Sequence, residues 1–338
     1  MGLDARIVVA GAGSIGCFIG GLLARAGRNV TLLARPHIAE ELCNHGLYLT
    51  DFAGLDERIR VSGLTVATEP EALKSAALIL VTVKSGATQA TAREIAEHCG
   101  DGGAVVLSLQ NGVDNLVTLR SALGETVVLG GTVGFNVVHM GGGRFHRGTS
   151  GDVVIEAGRD DVLSLIAVPG LDVKATRDIG GVQWGKLLVN LNNALNALSG
   201  LPLRQQLQDR AWRRLLADQM EEALRVLEVA GIVPVPATPV PPRLMPIALR
   251  LPNALFRVAA ASMLKMDPEA RSSMWEDLMR CRPTEIDYLQ GAIVRLAARH
   301  HLGAPLSERI AALIKQAEAT GAGPPGLAAS QIRNAPPR

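Results

Sequence analysis

Aromatic residues make up only 3% of this 338-residue chain, and its 34 lysines and arginines nearly cancel its 32 acids, leaving a net charge of +2. A nucleic-acid surface needs a basic run, usually interleaved with rings that stack on bases, and the sequence has neither. Cysteine is sparse as well. Cys17, Cys43, Cys99 and Cys281 are scattered, with no C-x-x-C pair and no histidine at ligand spacing. That pattern offers no metal site and reads as reduced thiols in a cytoplasmic protein. Long unbroken apolar runs are missing too. Ile7 to Ala10 is too short for the apolar core of a secretory signal, and Pro246 to Leu264 is interrupted by Arg250, Pro252 and Arg257. The latter reads as an amphipathic helix pair or an oligomer contact, as in a homodimer, and not as a membrane span.

Apolar residues and glycine are plentiful. The hydrophobic fraction of 48% against 20% charged is enough for a sizeable core, and the length suits two domains better than one. The first half alternates short apolar strands with helices. Ile7 to Ala10, Asn29 to Ala34, Leu78 to Val83, Ala104 to Leu109 and Val127 to Leu129 read as strands of a parallel sheet covered on both faces. Between Gly131 and Glu156 the glycine-punctuated texture around Gly141 to Gly143 predicts an antiparallel extension of that sheet. After Asp178 nothing reads as a strand. Helices are expected over Val182 to Ser199, Gln205 to Ala230, Asp267 to Arg280, Glu285 to His300 and Ser307 to Thr320, with a proline-rich loop from Pro234 to Pro242. The expected class is α/β: a Rossmann-type, mainly parallel sheet domain over 1–178, an all-helical domain over 179–320, and a tail over 321–338 with little to bury.

The first strand runs directly into Gly11-Ala12-Gly13-Ser14-Ile15-Gly16, a G-x-G-x-x-G turn opening a helix within a complete β-α-β unit. Glycine at those places permits a tight turn, close approach to a pyrophosphate and close helix–sheet packing, while the helix amino terminus attracts the phosphates. The second strand ends at Ala34-Arg35, where an NAD site usually carries an acid, and the first carboxylate comes only at Glu40. A guanidinium suits a ribose 2′-phosphate, so NADP(H) is the favoured dinucleotide; a solvated surface arginine is the alternative. Ligands of open α/β sheets bind at the carboxyl ends of strands, which directs attention to two loops. Lys84 can reach a cofactor phosphate or ribose, or simply be solvated. Asn111, in Gln110-Asn111-Gly112, can hold the nicotinamide ribose or the substrate, or simply make a turn.

In the helical half, Lys186, Asn190 and Asn193 stand at i, i+4 and i+7 and share one helix face beside a leucine-rich one. Asparagine is a poor helix former and buried amides need partners, so the stripe points to a site; a solvated face is the plainer alternative. Further on, Thr284 with Glu285 and Asp287 reads as an N-cap with acids in the first helical turn.

Taken in order, the glycine turn, Arg35, Val83-Lys84, Gln110-Asn111-Gly112, Trp184-x-Lys186 with Asn190, Ser272-Ser273-Met274 and Thr284-Glu285-Ile286-Asp287 resemble the ketopantoate reductases (2-dehydropantoate 2-reductases) over nearly the whole chain. The late Ser-Ser-Met to Thr-Glu-Ile-Asp block is the most specific part of the likeness. The resemblance implies NADPH-dependent reduction of a 2-oxo acid on the route to pantothenate and coenzyme A. It makes Lys186 the general acid and places Asn111 and Asn190 against substrate or lysine. It assigns Ser273 to the substrate carboxylate and Glu285 to its hydroxyl or to orienting the site. The chain departs from the family pattern at Ala194, where a second asparagine is common; Asn193, pointing closer to Lys186, is the expected replacement. The segment from Pro234 to Met266 is also longer and more apolar than a minimal member requires. The alternatives are a reductase of another 2-oxo acid and, from a different class, a non-catalytic NADP(H) sensor.

Overall fold

A computed structural model describes residues 1–59, 64–99, 103–261 and 267–333. The chain divides into two compact units, Met1–Ile179 and Gly180–Arg338.

In the first unit the strands are β1 Ile7–Ala10, β2 Val30–Leu33, β3 Leu47–Asp51, β4 Asp56–Ile59, β5 Leu64–Ala67, β6 Leu78–Val81, β7 Val105–Ser108, β8 Val127–Val133, β9 Val137–Gly141, β10 Arg144–Arg147, β11 Val153–Glu156 and β12 Val173–Thr176. Its helices are α1 Ser14–Arg25, α2 Pro36–His45, α3 Thr88–Cys99, α4 Asn115–Leu123 and α5 Asp160–Ile166. Eight strands form one sheet in the order β12-β11-β8-β7-β6-β1-β2-β5. From β5 to β8 every pairing is parallel, as continuous apolar strands covered on both faces require. The central strands β1, β6 and β7 are buried along their whole length.

The expected antiparallel extension is only half of what the glycine-rich region builds. β11 does run antiparallel to β8 at the sheet's far side. The hairpin β9–β10 around Gly141 to Gly143, however, leaves that sheet and joins β3 and β4 in a second one, where β10 pairs parallel with β3. The reason is packing: Phe145 of β10 is buried with Leu47 and Leu49 of β3 in the core that α1 covers, and His139 stacks on the Phe145 ring at 4.6 Å. Glu41 of α2 fastens the hairpin, accepting from the Gly143 N–H at 2.8 Å and meeting His139 Nε2 at 2.8 Å. Burial raises the Glu41 pKa, but these contacts and His45 outweigh it and hold the carboxyl below its ordinary value.

The second unit contains no strand among the described residues. Its helices are α6 Ile179–Asn190, α7 Asn192–Ser199, α8 Leu203–Gln208, α9 Arg210–Val229, α10 Met245–Arg250, α11 Asn253–Ala259, α12 Ser273–Met279, α13 Gln290–Arg299, α14 Pro305–Thr320 and α15 Ala329–Arg333. Several are shorter than their periodicity suggests. The expected helix over Gln205 to Ala230 is two, because Asp209 stops α8 and caps α9, accepting from the Ala211 N–H at 2.7 Å. The one expected from Asp267 starts only at Ser273, with Ser272 as its cap. Arg213 of α9 is buried, and among the described residues none of its hydrogen bonds goes to a carboxylate. Its five N–H groups donate to the carbonyls of Leu207, Gln208, Leu249 and Leu251 and to Asn253 Oδ1, and its guanidinium lies over the Phe256 ring at 4.2 Å. The segment after Gly321 buries more than its composition suggests: Ile332 is fully enclosed, and Arg333 pairs with Asp218 of α9. Residues 262–266 of the apolar stretch and 334–338 of the tail lie outside the described residues. No described helix is long and apolar enough to cross a membrane.

Candidate active site

In the first unit the chain leaves β1 at Gly11 with φ of +106°, and a Cβ there would stand 2.7 Å from the Val83 nitrogen. Glycine is demanded by that conformation and that approach. Gly16 is demanded by contact alone, since its Cβ would lie 2.4 Å from the Gly11 oxygen. Gly13 differs: a Cβ there meets nothing within 4 Å. The protein itself does not require glycine at this place, and the open space suits close approach of a pyrophosphate. Ser14 and Ile15 open α1, whose N-cap is Gly13, with no side-chain cap and no acid in the first turn. That amino terminus keeps its positive end for an anion, and the loop therefore fits a dinucleotide. Thr82, which the sequence reading passed over, holds the turn by donating to the Gly11 carbonyl at 2.7 Å.

Arg35 is exposed at the N-cap of α2, with Pro36 behind it and again no acid in the first helical turn. Lys84 is exposed at the end of β6, where a short 3₁₀ turn, Ser85–Ala87, begins. Asn111 is half-buried, and a polar network beneath it fixes its backbone. Ser85 Oγ donates to the Asn111 carbonyl at 2.9 Å, and Asn115 Nδ2 donates to that carbonyl and to Ser85 Oγ. Thr88 Oγ1 donates to Asn115 Oδ1 at 2.8 Å, and Gln110 Nε2 donates to Thr88 Oγ1 at 2.7 Å and to the Val83 carbonyl at 3.0 Å. The loops carrying Lys84 and Asn111 are thus locked to each other by buried side chains. Individually these are ordinary polar residues; only the parallel pairing of β6 and β7 brings them together.

In the second unit Lys186 is half-buried on α6. Burial pushes its pKa down to about 8, and the carboxylate of Glu285 works against that shift. The fold thus brings Lys186 and Glu285, almost a hundred residues apart in sequence, within electrostatic reach. Glu285 stands where a 3₁₀ turn, Ile286–Tyr288, begins, so the expected α-helical first turn is a tighter one. Its neighbour Thr284 is anchored on both sides: the Thr284 N–H donates to Glu318 Oε1 at 2.7 Å, and Thr284 Oγ1 accepts from the Ile286 N–H at 3.2 Å. Gln290 ties this corner to the lysine helix by donating to the Leu191 carbonyl at 2.9 Å, at the break between α6 and α7.

Asn190 and Asn193 fall on either side of that break and are half-buried, whereas Ala194 is fully buried. Of the two serines in the Ser-Ser-Met block, Ser273 is exposed and Ser272 is buried. Ser272 Oγ donates to the Asn193 carbonyl at 3.0 Å and accepts from the Trp275 N–H, while the Ser272 N–H donates to Asn196 Oδ1 at 2.9 Å. Asn196, also missed from sequence, uses its amide on the Leu201 carbonyl and Gln206 Oε1. Ser272 and Asn196 therefore set the place from which Ser273 projects. Among the described residues no cluster of His, Cys, Asp or Glu has the makings of a metal site.

Comparison with known proteins covers both units. Residues 7–160 match the family model "Ketopantoate reductase PanE/ApbA", and residues 178–318 match "Ketopantoate reductase PanE/ApbA C terminal". A 2-dehydropantoate 2-reductase of Halobacterium salinarum is 30% identical over 332 residues, spanning 94% of this chain and 100% of the relative. The crystal structure of a PanE/ApbA family ketopantoate reductase from Ralstonia eutropha JMP134 superposes with a TM-score of 0.79 at 32% identity, covering 94% of this chain and 99% of that one. A D-mandelate dehydrogenase solved with NADH and anilino(oxo)acetate shares the fold, with a TM-score of 0.76 at 20% identity over 94% of this chain and 99% of that one. Matched along both of its units, this chain belongs to the ketopantoate reductase family and is a nicotinamide-dependent oxidoreductase.

Proposed function

We propose that the protein reduces 2-dehydropantoate to pantoate with NADPH, and that Lys186 is the general acid. The observation that carries this reading is the half-buried Lys186, its pKa lowered to about 8 and its ammonium facing the field of Glu285. Such a lysine is still largely protonated at neutral pH, yet gives up its proton far more readily than a solvated one. The names of the relatives supply the substrate class.

When bound, the dinucleotide would supply a hydride to the C2 ketone carbon. As the C=O electron pair moves onto oxygen, the Lys186 ammonium stabilises the growing charge and then passes a proton to it, leaving a 2-hydroxy acid and a neutral amine that solvent reprotonates. A guanidinium would hold its proton too tightly for the second task. Asn190 and Asn193 line the lysine's face, Ser273 fixes the substrate carboxylate, and Glu285 accepts a hydrogen bond from the substrate hydroxyl. In the first unit Gly11 to Gly16 would hold the pyrophosphate, Arg35 the 2′-phosphate, Lys84 a cofactor phosphate or ribose, and Asn111 the nicotinamide ribose or the substrate. The same reading carries a cytoplasmic, homodimeric protein with reduced thiols. A reductase of another 2-oxo acid is the second reading, favoured by the fold shared with a D-mandelate dehydrogenase.

One set of assays tests both halves of the proposal. Loss of NADPH absorbance should show kcat/KM for ketopantoate exceeding that for 2-oxo-3-methylbutanoate, which lacks the hydroxymethyl group, by orders of magnitude, because the smaller acid offers Glu285 no hydroxyl to bond. Lys186→Ala should lower turnover by about 10²–10⁴-fold at nearly unchanged NADPH affinity. Equal rates on the two acids would transfer the protein to the second reading, and a Lys186→Ala enzyme with most of its turnover would remove the lysine from the chemistry.

A further inference from the structure

The backbone of the proline-rich loop that joins α9 to α10 lies directly against α6. The Val235 N–H donates to the Gly181 carbonyl at 2.9 Å. One helical turn later, a Cβ on Gly185 would stand 1.7 Å from the Val235 oxygen and 2.9 Å from its carbonyl carbon. No side chain can yield there, because the neighbour is main chain. Gly181 and Gly185, at i and i+4, share one face of the helix and form a notch in which the loop's backbone is seated. Beyond Val235 the loop continues over α6 and α9: Ala237, Thr238 and Pro242 close a narrow apolar crevice against Leu188, Val189 and Met220. Thr238 Oγ1 donates to the Val240 carbonyl at 3.1 Å, and five prolines between 234 and 242 stiffen the run by fixing φ. The residue that follows the notch in sequence is Lys186.

We infer that residues 234–242 form a rigid strap that positions Lys186, acting through the notch at Gly181 and Gly185. Gly185 explains the middle position of the Trp-Gly-Lys motif: it is the seat of the strap. A helix held only by side chains can roll. A roll of about 10° carries a group roughly 6 Å from the axis through about 1 Å, and a misplacement of that size costs about 10²-fold in rate. Main chain packed on main chain leaves α6 no such freedom. The inference rests on Lys186 being the general acid, and its test separates the two.

The test compares Gly185→Ala, which lifts the strap from its seat, with Val235→Pro, which deletes the N–H donated to Gly181 and leaves α6 intact. Val233→Ser, at an exposed position beside the strap, is the control. Steady-state assays with NADPH and the best 2-oxo acid are read together with NADPH affinity and thermal unfolding. The expected result is a fall in kcat of about 10–100-fold in both strap variants, with KM and NADPH affinity within about twofold of the parent and the control unchanged. Should Gly185→Ala fail to fold, Val235→Pro decides by the same criteria. Parental kcat in the variants that fold, or a loss that appears in KM or thermal stability and not in kcat, would overturn the inference. An active Lys186→Ala enzyme would overturn the underlying assignment; an inactive one beside fully active strap variants would overturn the strap alone.

Discussion

Arg35 is the residue on which the choice of nicotinamide dinucleotide turns. It stands at the N-cap of α2, immediately after Ala34, whose N–H is spent on the Ala67 carbonyl, and no acid follows in the first helical turn. One charge-assisted contact of about 1.5–3 kcal/mol is enough for a tenfold preference for NADPH over NADH. Arg35→Asp should therefore abolish that preference when the two affinities are measured by fluorescence titration, and equal affinities in the parent would contradict the assignment. Arg35, Lys186 and the glycine turn were legible in the sequence because each departs from what its surroundings call for: an arginine where an acid is usual, a lysine on an apolar helix, three glycines at fixed spacing. Thr82, Ser85, Thr88, Gln110 and Asn115 were not, since a buried threonine or amide carries no local sign of its partner. Ser272 and Ser273 are adjacent and chemically identical, and only burial tells the cap from the exposed side chain.

Among the elements, the parallel strands could be read from their unbroken apolar runs, and α14 from its periodicity. Where the reading ran short, the cause was a polar residue interrupting a pattern that periodicity alone extends. Asp209 divides α8 from α9, and the Leu191 carbonyl, taken by Gln290, lies where α6 gives way to α7. The hairpin β9–β10 could not be assigned to its sheet, because its partner β3 lies almost a hundred residues earlier. Arg213 is the corresponding lesson in the helical unit. It joins the end of α8 to α9, α10 and α11 through four carbonyls and the Asn253 side chain. Arg213→Lys offers three donors in place of five and loses the planar stack on Phe256. It should cost about 2–4 kcal/mol in denaturant unfolding; a change below about 0.5 kcal/mol would show that water satisfies these carbonyls as well as the guanidinium does.

For the molecule as a whole, the poised lysine is a cost to stability with a definite pH dependence. Its folded pKa of about 8 lies below the ordinary lysine value of about 10.4. Between those two values the unfolded chain binds more protons, so this group makes stability rise with pH across that window; below about pH 8 the penalty is present in full. Allowing for the side chain's partial contact with water, the penalty is about 1–3 kcal/mol. Lys186→Met should be more stable than the parent by that amount at pH 7, and the difference should shrink as pH approaches 10. A difference independent of pH would mean the lysine is not dehydrated. The order of strands in the large sheet carries a consequence for how the chain is made. β1 lies between β2, which follows it closely, and β6, which ends 71 residues later along the chain, with Ala10 opposite Val81. At about 5–20 residues per second, roughly 4–14 s of synthesis separate the emergence of β1 from that of β6. Throughout that interval a wholly apolar strand presents at least one bare edge, open to pairing with a neighbouring chain.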